Sequence, residues 1–168
     1  MKLREPLELI AQCSLPAALE AMGERWSFLI LRGAFNGLHH FEEYQAALGI
    51  ARNILANRLG RLVQHGILAR RPLPDDRRKI EYQLTQKGIE LLPTMLALRQ
   101  WGEKWESGTP STPVLVDARD HQPIAKIGIH AHDGRVLEKH DLMWMHAEEV
   151  IALGQPSPKP HAIKAIAA

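Results

Sequence analysis

The chain has 168 residues, of which 45% are hydrophobic and 24% charged, and its formal net charge at pH 7 is only +2. These values fit a folded domain of ordinary size, alone or with an appendage, and exclude a disordered chain. No apolar run approaches the roughly 20 residues of a membrane span, and the N-terminus lacks a signal-peptide pattern. A single cysteine, Cys13, excludes an internal disulfide. We therefore expect a soluble cytoplasmic protein with no membrane partner.

Hydrophobic periodicity in the first part of the chain predicts four helices. Apolar residues recur at helical spacing in each of them, and Ser14 is placed to cap the first. Gly37, Gly49 and Gly66 are placed to end or connect the helices, since glycine accepts a positive φ. The predicted ranges are 16–23, 25–35, 41–48 and 51–65. A short helix, a glycine-containing turn and a longer helix are typical of a helix-turn-helix.

Positive charge is concentrated between residues 51 and 79. This stretch holds two aspartates against eight basic residues, namely Arg52, Arg58, Arg61, Arg70, Arg71, Arg77, Arg78 and Lys79. Neutralising the phosphates of DNA requires local positive charge rather than a high net charge. The stretch is therefore predicted to be a DNA-binding element.

The fourth predicted helix has two distinct faces. Leu55, Leu59 and Leu62 form an apolar stripe that is expected to face the core. The outward set is Arg52, Asn53, Asn57, Arg61 and Gln64. Asparagine can pair with adenine and arginine with guanine, so this set suits reading of the major groove, although a merely solvated face is the alternative. Arg58 lies near the apolar edge and is expected to contact a phosphate or form an internal ion pair.

Two short strands joined by a charged turn are predicted after this helix. Residues 67–69 and 80–84 have strand-like patterns, and residues 72–76 contain two prolines and two aspartates, which favour a turn. Basic side chains occupy both arms of the hairpin, namely Arg70, Arg71, Arg77, Arg78 and Lys79. The hairpin is therefore predicted to be a wing that contacts the DNA backbone or the minor groove.

A helix from Thr85 to about Trp105 is predicted to carry a dimer interface. Apolar or small residues recur along it at alternating spacings of four and three, which is a heptad pattern. The predicted interface consists of Leu91, Met95, Leu98, Trp101 and Trp105. Ile89, Leu92 and Leu96 form a second strip expected to face the chain's own core, and Pro93 is expected to kink the helix. A helix buried within one monomer is the alternative.

The remaining residues predict a linker and a small extension. Residues 107–113 have linker composition, and strands are expected at 114–116, 124–131 and 136–137, with a turn at Asp133-Gly134. Asp141 is expected to cap a helix reaching Ile151. The predicted organisation is a winged helix-turn-helix domain over residues 1–108, a β-containing extension over 109–153 and a mobile tail over 154–168.

An ordered set of residues from Cys13 to about Trp105 carries a family resemblance. The opening helices contribute Cys13, Ala18-Leu19, Gly23, Arg25-Trp26 and residues 28–32. The next elements contribute Phe41, Leu48, Gly49-Ile50, Leu55, Arg58-Leu59, Leu62, Gly66-Ile67-Leu68, Arg70, Tyr82, Leu84-Thr85 and Gly88. The last helix contributes Leu92-Pro93, Leu98 and Trp101-Gly102. In this set the chain resembles the HxlR family of bacterial winged-helix transcriptional regulators, relatives of the MarR group.

The resemblance implies an α+β, mostly helical fold with a winged helix-turn-helix domain, a long C-terminal dimerisation helix and a small β-containing extension. It also implies a homodimer that binds an inverted-repeat operator in double-stranded DNA and represses or activates nearby genes. Ala51 stands where the family usually has Ser or Thr, and Asn53 stands where Lys is frequent. These departures predict a recognition helix without a side-chain cap and with its own base preference. Ser14 replaces the proline that commonly follows the cysteine.

Cys13 is a candidate redox sensor, because it matches a cysteine that senses oxidants, quinones or aldehydes in some relatives. A thiol near a helix N-terminus and a dimer interface can react with an oxidant and join two copies through a disulfide. The alternative is a small buried apolar residue. The resemblance thus adds an oxidant or a small-molecule effector to the expected partners.

Metal-binding and catalytic signals are weak. His130 and His132 would share one face of a strand, a spacing that zinc can use, but scattered surface histidines are the simpler interpretation. Histidines and acidic residues in the region 117–148 form no recognisable nucleophile-base or metal-base motif. We therefore expect no cofactor, no metal site and no enzymatic activity. A ligand- or metal-binding interaction module, or an enzyme with a site in the extension, remains the alternative.

Overall fold

The computed structural model describes residues 13–154, apart from the side chain of Ala147. The described residues fall into two compact units, one from Ser14 to Ile127 and one that joins Cys13 to the residues from Gly128 onward. The first unit contains six of the helices and one hairpin. The predicted mixed α+β class with a winged helix-turn-helix is confirmed.

Four helices open the first unit, and the predicted ranges hold to within a residue or two. They are α1 (Leu15–Met22), α2 (Arg25–Phe35), α3 (Phe41–Leu48) and α4 (Arg52–Gln64). Gly49, between α3 and α4, has a φ of 59°, a left-handed conformation that glycine adopts without strain. Ser14 is the N-cap residue of α1, but its side chain makes no capping hydrogen bond, which differs from the prediction.

The core of this unit is formed where α2, α3 and α4 meet the hairpin. Its most buried side chains are Ile30, Leu31, Tyr44, Leu55, Leu59, Leu62, Ile67 and Leu68. The predicted apolar stripe of α4 is thus confirmed as its core face. Tyr44 is buried and donates a hydrogen bond of 2.7 Å to the Leu38 carbonyl, and burial raises the pKa of this phenol. Because this packing fixes the core face of α4, the opposite face has a defined direction.

The hairpin consists of β1 (Leu68–Pro72) and β2 (Ile80–Leu84), which pair antiparallel with Leu68 opposite Leu84 and Pro72 opposite Ile80. The second strand was predicted correctly. The first prediction, 67–69, stops too early, because the ladder continues through two polar arginines and a proline. Cross-strand pairing rather than local hydrophobicity extends this strand.

The prediction of one kinked helix from Thr85 to Trp105 is wrong. The structure has two helices, α5 (Gln86–Ile89) and α6 (Leu92–Gly102), and a π-helical turn over Glu103–Ser107. Thr85 does cap α5, since its hydroxyl accepts a hydrogen bond of 3.1 Å from the Gly88 amide. Pro93 lies in the first turn of α6, where its missing N–H would have no helical partner. Proline therefore begins a helix here instead of bending one.

Residues 110–127, which we call the strap, are held on the polar face of α6. Arg99 donates to the Pro113 carbonyl at 2.5 Å, and Glu103 accepts from the Ser111 amide at 3.2 Å. Gln100 donates to the Ala125 carbonyl at 3.2 Å and accepts from the Ile127 amide at 2.8 Å. The strap thus belongs to the same compact unit as the helices. A domain boundary after residue 108 stays a prediction.

Of the three strands predicted in the extension, one is absent from the described structure, one is shortened and one is confirmed. Val116 forms only an isolated bridge with Pro123, so the predicted strand at 114–116 is wrong. In the second unit, β3 (Ile129–His130) pairs with β4 (Val136–Leu137) around a turn in which Gly134 has a φ of 88°. The predicted strand at 124–131 therefore shrinks to two residues, while the predicted turn and returning strand are confirmed.

The predicted helix from Asp141 to Ile151 is also corrected. Asp141 ends a short 3₁₀ turn that begins at Lys139, and α7 (Ala147–Ala152) starts after His146. The Glu149 carboxylate accepts a hydrogen bond of 2.9 Å from the His146 amide, so the cap lies five residues later than predicted. The mobile tail predicted for 154–168 lies, except for Gly154, outside the described residues.

Candidate nucleic-acid interface

The outer face of α4 presents amide side chains to solvent. Asn53, Asn57 and Gln64 are exposed on the side opposite the buried leucines. Gly60 lies among them, and a side chain placed there would meet nothing within 4 Å. The DNA major groove admits an α-helix, and amide side chains are able to pair with base edges there.

Arg52 begins α4 and is exposed, as predicted, but its side chain is not directed by α4 alone. Its guanidinium carbon lies 4.8 Å from the centre of the Phe41 ring, at the start of α3. Ala51, the N-cap residue, supplies no side-chain cap, which agrees with the sequence prediction. The stacking on Phe41 places Arg52 at the end of the amide face rather than in its middle.

Two of the predicted DNA-contacting arginines are engaged within the protein. The Arg58 guanidinium lies 2.5 Å from the Glu24 carboxylate, and its side chain is only 17% exposed. Arg61 donates a hydrogen bond of 3.1 Å to the Glu20 carbonyl at the end of α1. The sequence predicted either a phosphate contact or an internal ion pair for Arg58, and the structure shows the ion pair. Both contacts tie α4 to the opening helices.

The hairpin is a basic wing. Arg70, Arg71, Arg77, Arg78 and Lys79 are all exposed. Arg78 lies 3.2 Å from the Asp76 carboxylate, but its side chain is 92% exposed, and surface ion pairs of this kind contribute little. The wing therefore presents its positive charge to solvent, where the phosphates of a DNA duplex could approach.

Two histidines that the sequence reasoning missed connect the wing to α3. The Tyr82 amide donates a hydrogen bond of 2.8 Å to the His39 carbonyl. One ring nitrogen of His40 lies 3.1 Å from the Ile80 carbonyl. The wing and the helix-turn-helix are therefore parts of one framework. The sequence does show the two histidines between Gly37 and Phe41, the first residue of α3. It does not show that they contact a strand far along the chain.

Glu43 completes this junction by capping α3. Its carboxylate accepts hydrogen bonds of 2.8 Å from the amides of both His39 and His40. These backbone hydrogen bonds, first that from His40 and then that from His39, lower the pKa of the Glu43 carboxyl below its ordinary value of 4.5. A carboxyl whose pKa is lowered in the folded state stabilises the fold above its unfolded pKa and loses that effect as pH falls through its folded value.

We expect Glu43→Ala to lower the melting temperature at pH 7 more than Glu42→Ala, an adjacent first-turn glutamate, because only Glu43 holds the two amides. The difference in melting temperature between the two variants should be constant above pH 4.5. It should shrink as pH falls further, because Glu43 of the wild type then becomes protonated and loses its advantage. Thermal melts followed by circular dichroism from pH 7 to pH 3 measure this. Identical melts of the two variants at pH 7 would contradict the capping role.

The predicted dimer residues divide into two groups in the structure. Leu98, Trp101 and Trp105 are 50%, 52% and 63% exposed, whereas Leu91 and Met95 are partly buried. Of the second strip, Leu96 is buried and Leu92 is partly buried, but Ile89 is 45% exposed, so the prediction that all three face the core is wrong for Ile89. The heptad spacing in the sequence begins at Leu84 and Gly88, but neither reaches this seam, since Leu84 lies in β2 and Gly88 is buried against the Ile67 carbonyl. The exposed apolar face is therefore shorter than the heptad pattern suggested.

Cys13 lies directly before Ser14 and is partly buried. Within residues 13–154, no group of three or more histidine, cysteine or acidic side chains is placed to hold a metal ion. No helix in this part of the chain is long and apolar enough to cross a membrane.

The helices α3 and α4 and the basic hairpin define a winged helix-turn-helix protein. The model of the HxlR-like helix-turn-helix family matches residues 21–109 of the chain. Rv3095 of Mycobacterium tuberculosis, named as an uncharacterised helix-turn-helix-type transcriptional regulator, is 36% identical over 147 residues, which are 88% of this chain and 85% of the relative. The chain therefore belongs to the HxlR-like helix-turn-helix family, a family of DNA-binding transcriptional regulators.

Solved structures agree with this assignment. The crystal structure of PA1607, described as a candidate transcription factor, has a TM-score of 0.73 and 39% identity, and the match covers 82% of this chain and 96% of PA1607. YodB of Bacillus subtilis, in its reduced form, has a TM-score of 0.50 and 28% identity over 58% of this chain and 96% of YodB. The larger coverage by PA1607 shows that part of the extension is shared beyond the winged domain.

Proposed function

We propose that the chain acts in the cytoplasm as a homodimeric, non-enzymatic transcription factor that binds an inverted repeat in double-stranded DNA. The observation that carries this proposal is the exposed amide face of α4 beside an exposed basic wing, with the two joined through His39 and His40. On this assignment Asn53, Asn57 and Gln64 read base edges, while the wing residues hold phosphates. Arg58 and Arg61 contribute mainly by positioning α4.

The apolar face of α6 supports the dimer. Leu98 and Trp101 of α6, together with Trp105 of the π-helical turn that follows, expose large apolar surfaces, and exposed patches of this kind mark interaction sites. A second copy of the same face would cover them in a two-fold interface, in which the same residues contribute from each side. Two recognition helices related by that axis require two half-sites of opposite direction, spaced about one helical turn apart.

Repeated selection from a pool of random duplexes tests this function. We expect enrichment of an inverted repeat, bound by the wild-type protein with an affinity that falls steeply as salt rises. Asn53→Ala and Asn57→Ala should relax discrimination at a few base pairs in each half-site, by roughly 1–3 kcal/mol at each position. Enrichment of a single asymmetric site would contradict the dimeric mode, and no enrichment at all would contradict sequence-specific binding.

A redox role for Cys13 is a second candidate function. It is supported by the partial exposure of the thiol beside the start of α1, and by the match to YodB, whose structure is described as a reduced form. On this proposal an oxidant modifies Cys13 or joins it to Cys13 of the second copy, and the dimer then releases its DNA. The competing role is packing, in which the thiol acts as a small apolar group.

The two roles of Cys13 predict opposite results. If the thiol is a sensor, it should label rapidly in the native protein, diamide should release the selected duplex, and Cys13→Ser should bind DNA but ignore diamide. If the thiol is packing, labelling should be slow, diamide should have no effect on binding, and Cys13→Ser should lose stability because a hydroxyl replaces an apolar group. Thiol-labelling kinetics and fluorescence anisotropy of a labelled duplex distinguish these results.

A further inference from the structure

A cleft of about 590 Å³ lies between the wing and the starts of α3 and α4. The wing contributes Arg78, Lys79 and Ile80 to its lining, and the helices contribute Phe41 and Arg52. The cleft is therefore next to the amide face of α4 but is separate from it. Its position suits the passage of a DNA strand between a recognition helix and a wing.

The walls of this cleft are fixed to each other before any ligand binds. The His40 ring contacts the Ile80 carbonyl at 3.1 Å, and the Tyr82 amide donates to the His39 carbonyl at 2.8 Å. Glu43 holds the backbone of both histidines from the other side. A preorganised site orders fewer groups on binding and therefore loses less conformational entropy.

The charge of the lining favours an anion. Arg52, Arg78 and Lys79 face Glu42, so the lining carries three cationic side chains and one carboxylate. Among the ion pairs of residues 13–154, none involves Arg52 or Lys79, and that of Arg78 is highly exposed. Arg52 and Lys79 thus form no ion pair in this part of the chain, and the Arg78 guanidinium is accessible beside its exposed partner. A guanidinium binds phosphate through paired hydrogen bonds.

Stacking determines where the guanidinium of Arg52 lies. With its carbon 4.8 Å from the Phe41 ring centre, the side chain is held towards the cleft wall, while one face of the guanidinium is occupied by the ring. The ring contact leaves the N–H edge of the guanidinium free to donate hydrogen bonds. Because Arg52 lines the cleft beside two wing cations, that edge is placed for a backbone phosphate.

We propose that this cleft binds one phosphodiester group of the DNA backbone in each half-site, with Arg52 as a phosphate-binding residue and Phe41 as its positioning residue. This inference rests on the proposed DNA-binding function and reassigns Arg52 from base reading to backbone binding. The ligand is a backbone phosphate, so its binding carries no base preference of its own.

The chain contains a matched control for Arg52. Arg25 is the first residue of α2, is also exposed, and has its guanidinium carbon 4.5 Å from the Trp26 ring centre, but it lies outside the cleft. Arg52→Ala and Arg25→Ala therefore each remove one exposed, ring-stacked arginine from a helix start. Any effect of net charge or of helix stability should be similar in the two variants. A difference in their affinities for DNA therefore comes from the position of Arg52 in the cleft.

The test measures affinity for a selected duplex and for an unrelated duplex across a salt titration. Arg52→Ala should reduce the steepness of the log–log salt dependence by roughly 0.9, the value for one phosphate contact, on both duplexes, and should leave the base preference unchanged. Arg25→Ala should match the wild type. Phe41→Leu, checked for folding by its melting temperature, should keep the wild-type slope but weaken binding about two- to fivefold, because the charge remains while its positioning is lost.

Neutral methylphosphonate groups, placed one at a time along the selected duplex, locate the phosphate. At one position per half-site, the neutral group should weaken wild-type binding more than it weakens binding of Arg52→Ala, in which only Arg78 and Lys79 remain as cations of the cleft. Base-specific loss of discrimination in Arg52→Ala, or equal methylphosphonate profiles for the variant and the wild type, would overturn the inference while leaving the proposed function intact. If the wild type binds no duplex at all, both proposals fail.

Discussion

Replacing Arg77 and Arg78 together with alanine is expected to weaken binding to duplex DNA of every sequence by a similar factor. Both side chains are exposed on the returning arm of the wing, and phosphate contacts carry no sequence information. Loss of two phosphate contacts should reduce the slope of log affinity against log salt concentration by roughly 1.8. If the affinities of the variant and the wild type are equal at 1 M salt, this change in slope corresponds to roughly a sixtyfold loss of affinity at 0.1 M.

A double variant of equal charge provides the control. Arg25→Ala combined with Arg32→Ala also removes two exposed arginines, but both belong to α2 and not to the hairpin. Fluorescence anisotropy with a labelled duplex compares the affinities of the two double variants between about 50 and 400 mM salt, a range over which the slope is measurable. Equal slopes for the wild type and the wing variant would refute the wing assignment. Equal losses of affinity in both double variants would show that the effect comes from net charge and not from the wing.

The second large effect is expected at the apolar face of α6. Leu98→Glu should convert the dimer to monomers, because each buried charge without a partner costs about 3–5 kcal/mol and the two-fold interface would contain two of them. Leu98 is 50% exposed in the single chain, so the substitution should leave the fold of the monomer largely unchanged. Light scattering measures the mass, and circular dichroism measures the melting temperature.

Leu98→Met is the matched control at the same position, since it conserves an apolar side chain of similar volume and should keep the dimer. The monomeric variant should also lose affinity for the selected inverted repeat, because its two half-sites would no longer be bound by one rigid assembly. A dimer that persists in Leu98→Glu at micromolar concentration would exclude this face as the interface. A second copy would then have to bind elsewhere on the protein.

The sequence was sufficient to predict the helix-turn-helix because its signals are local. The leucine stripe of α4 determined which face is buried, and Gly49 and Gly66 marked the turns before and after it. Both glycines have the positive φ that those turns require. The exposed amide face followed from the same periodicity, since the side opposite a buried stripe must face solvent.

Tertiary partners could not be predicted in the same way. The periodicity of α4 placed Arg61 beside the amide face, but only the fold brings the Glu20 carbonyl within 3.1 Å of it. The stacking of Arg52 on Phe41 and the contact of His40 with the Ile80 carbonyl likewise join residues from different elements. A proline such as Pro93 is compatible with either a kink or a helix start, and the choice depends on whether the preceding turn continues.

The extension was predicted least well because its backbone is organised by side chains of α6. Arg99, Gln100 and Glu103 supply hydrogen bonds to the strap that strand pairing would otherwise supply. Apolar residues at 114–116 resemble a strand in sequence, but they lie along a helix and not in a sheet. A short apolar run does not by itself specify a strand, and residues 114–116 stay 56%, 41% and 36% exposed.

The mass of the protein–DNA complex tests the central proposal most directly. Native mass spectrometry of the wild type with a duplex that contains the selected inverted repeat should give two chains per duplex, and footprinting of the same complex should protect both half-sites symmetrically. Leu98→Glu should give one chain per duplex at most. A wild-type complex of one chain with one duplex and an asymmetric footprint would contradict the account of two α4 helices, two wings and one α6 interface.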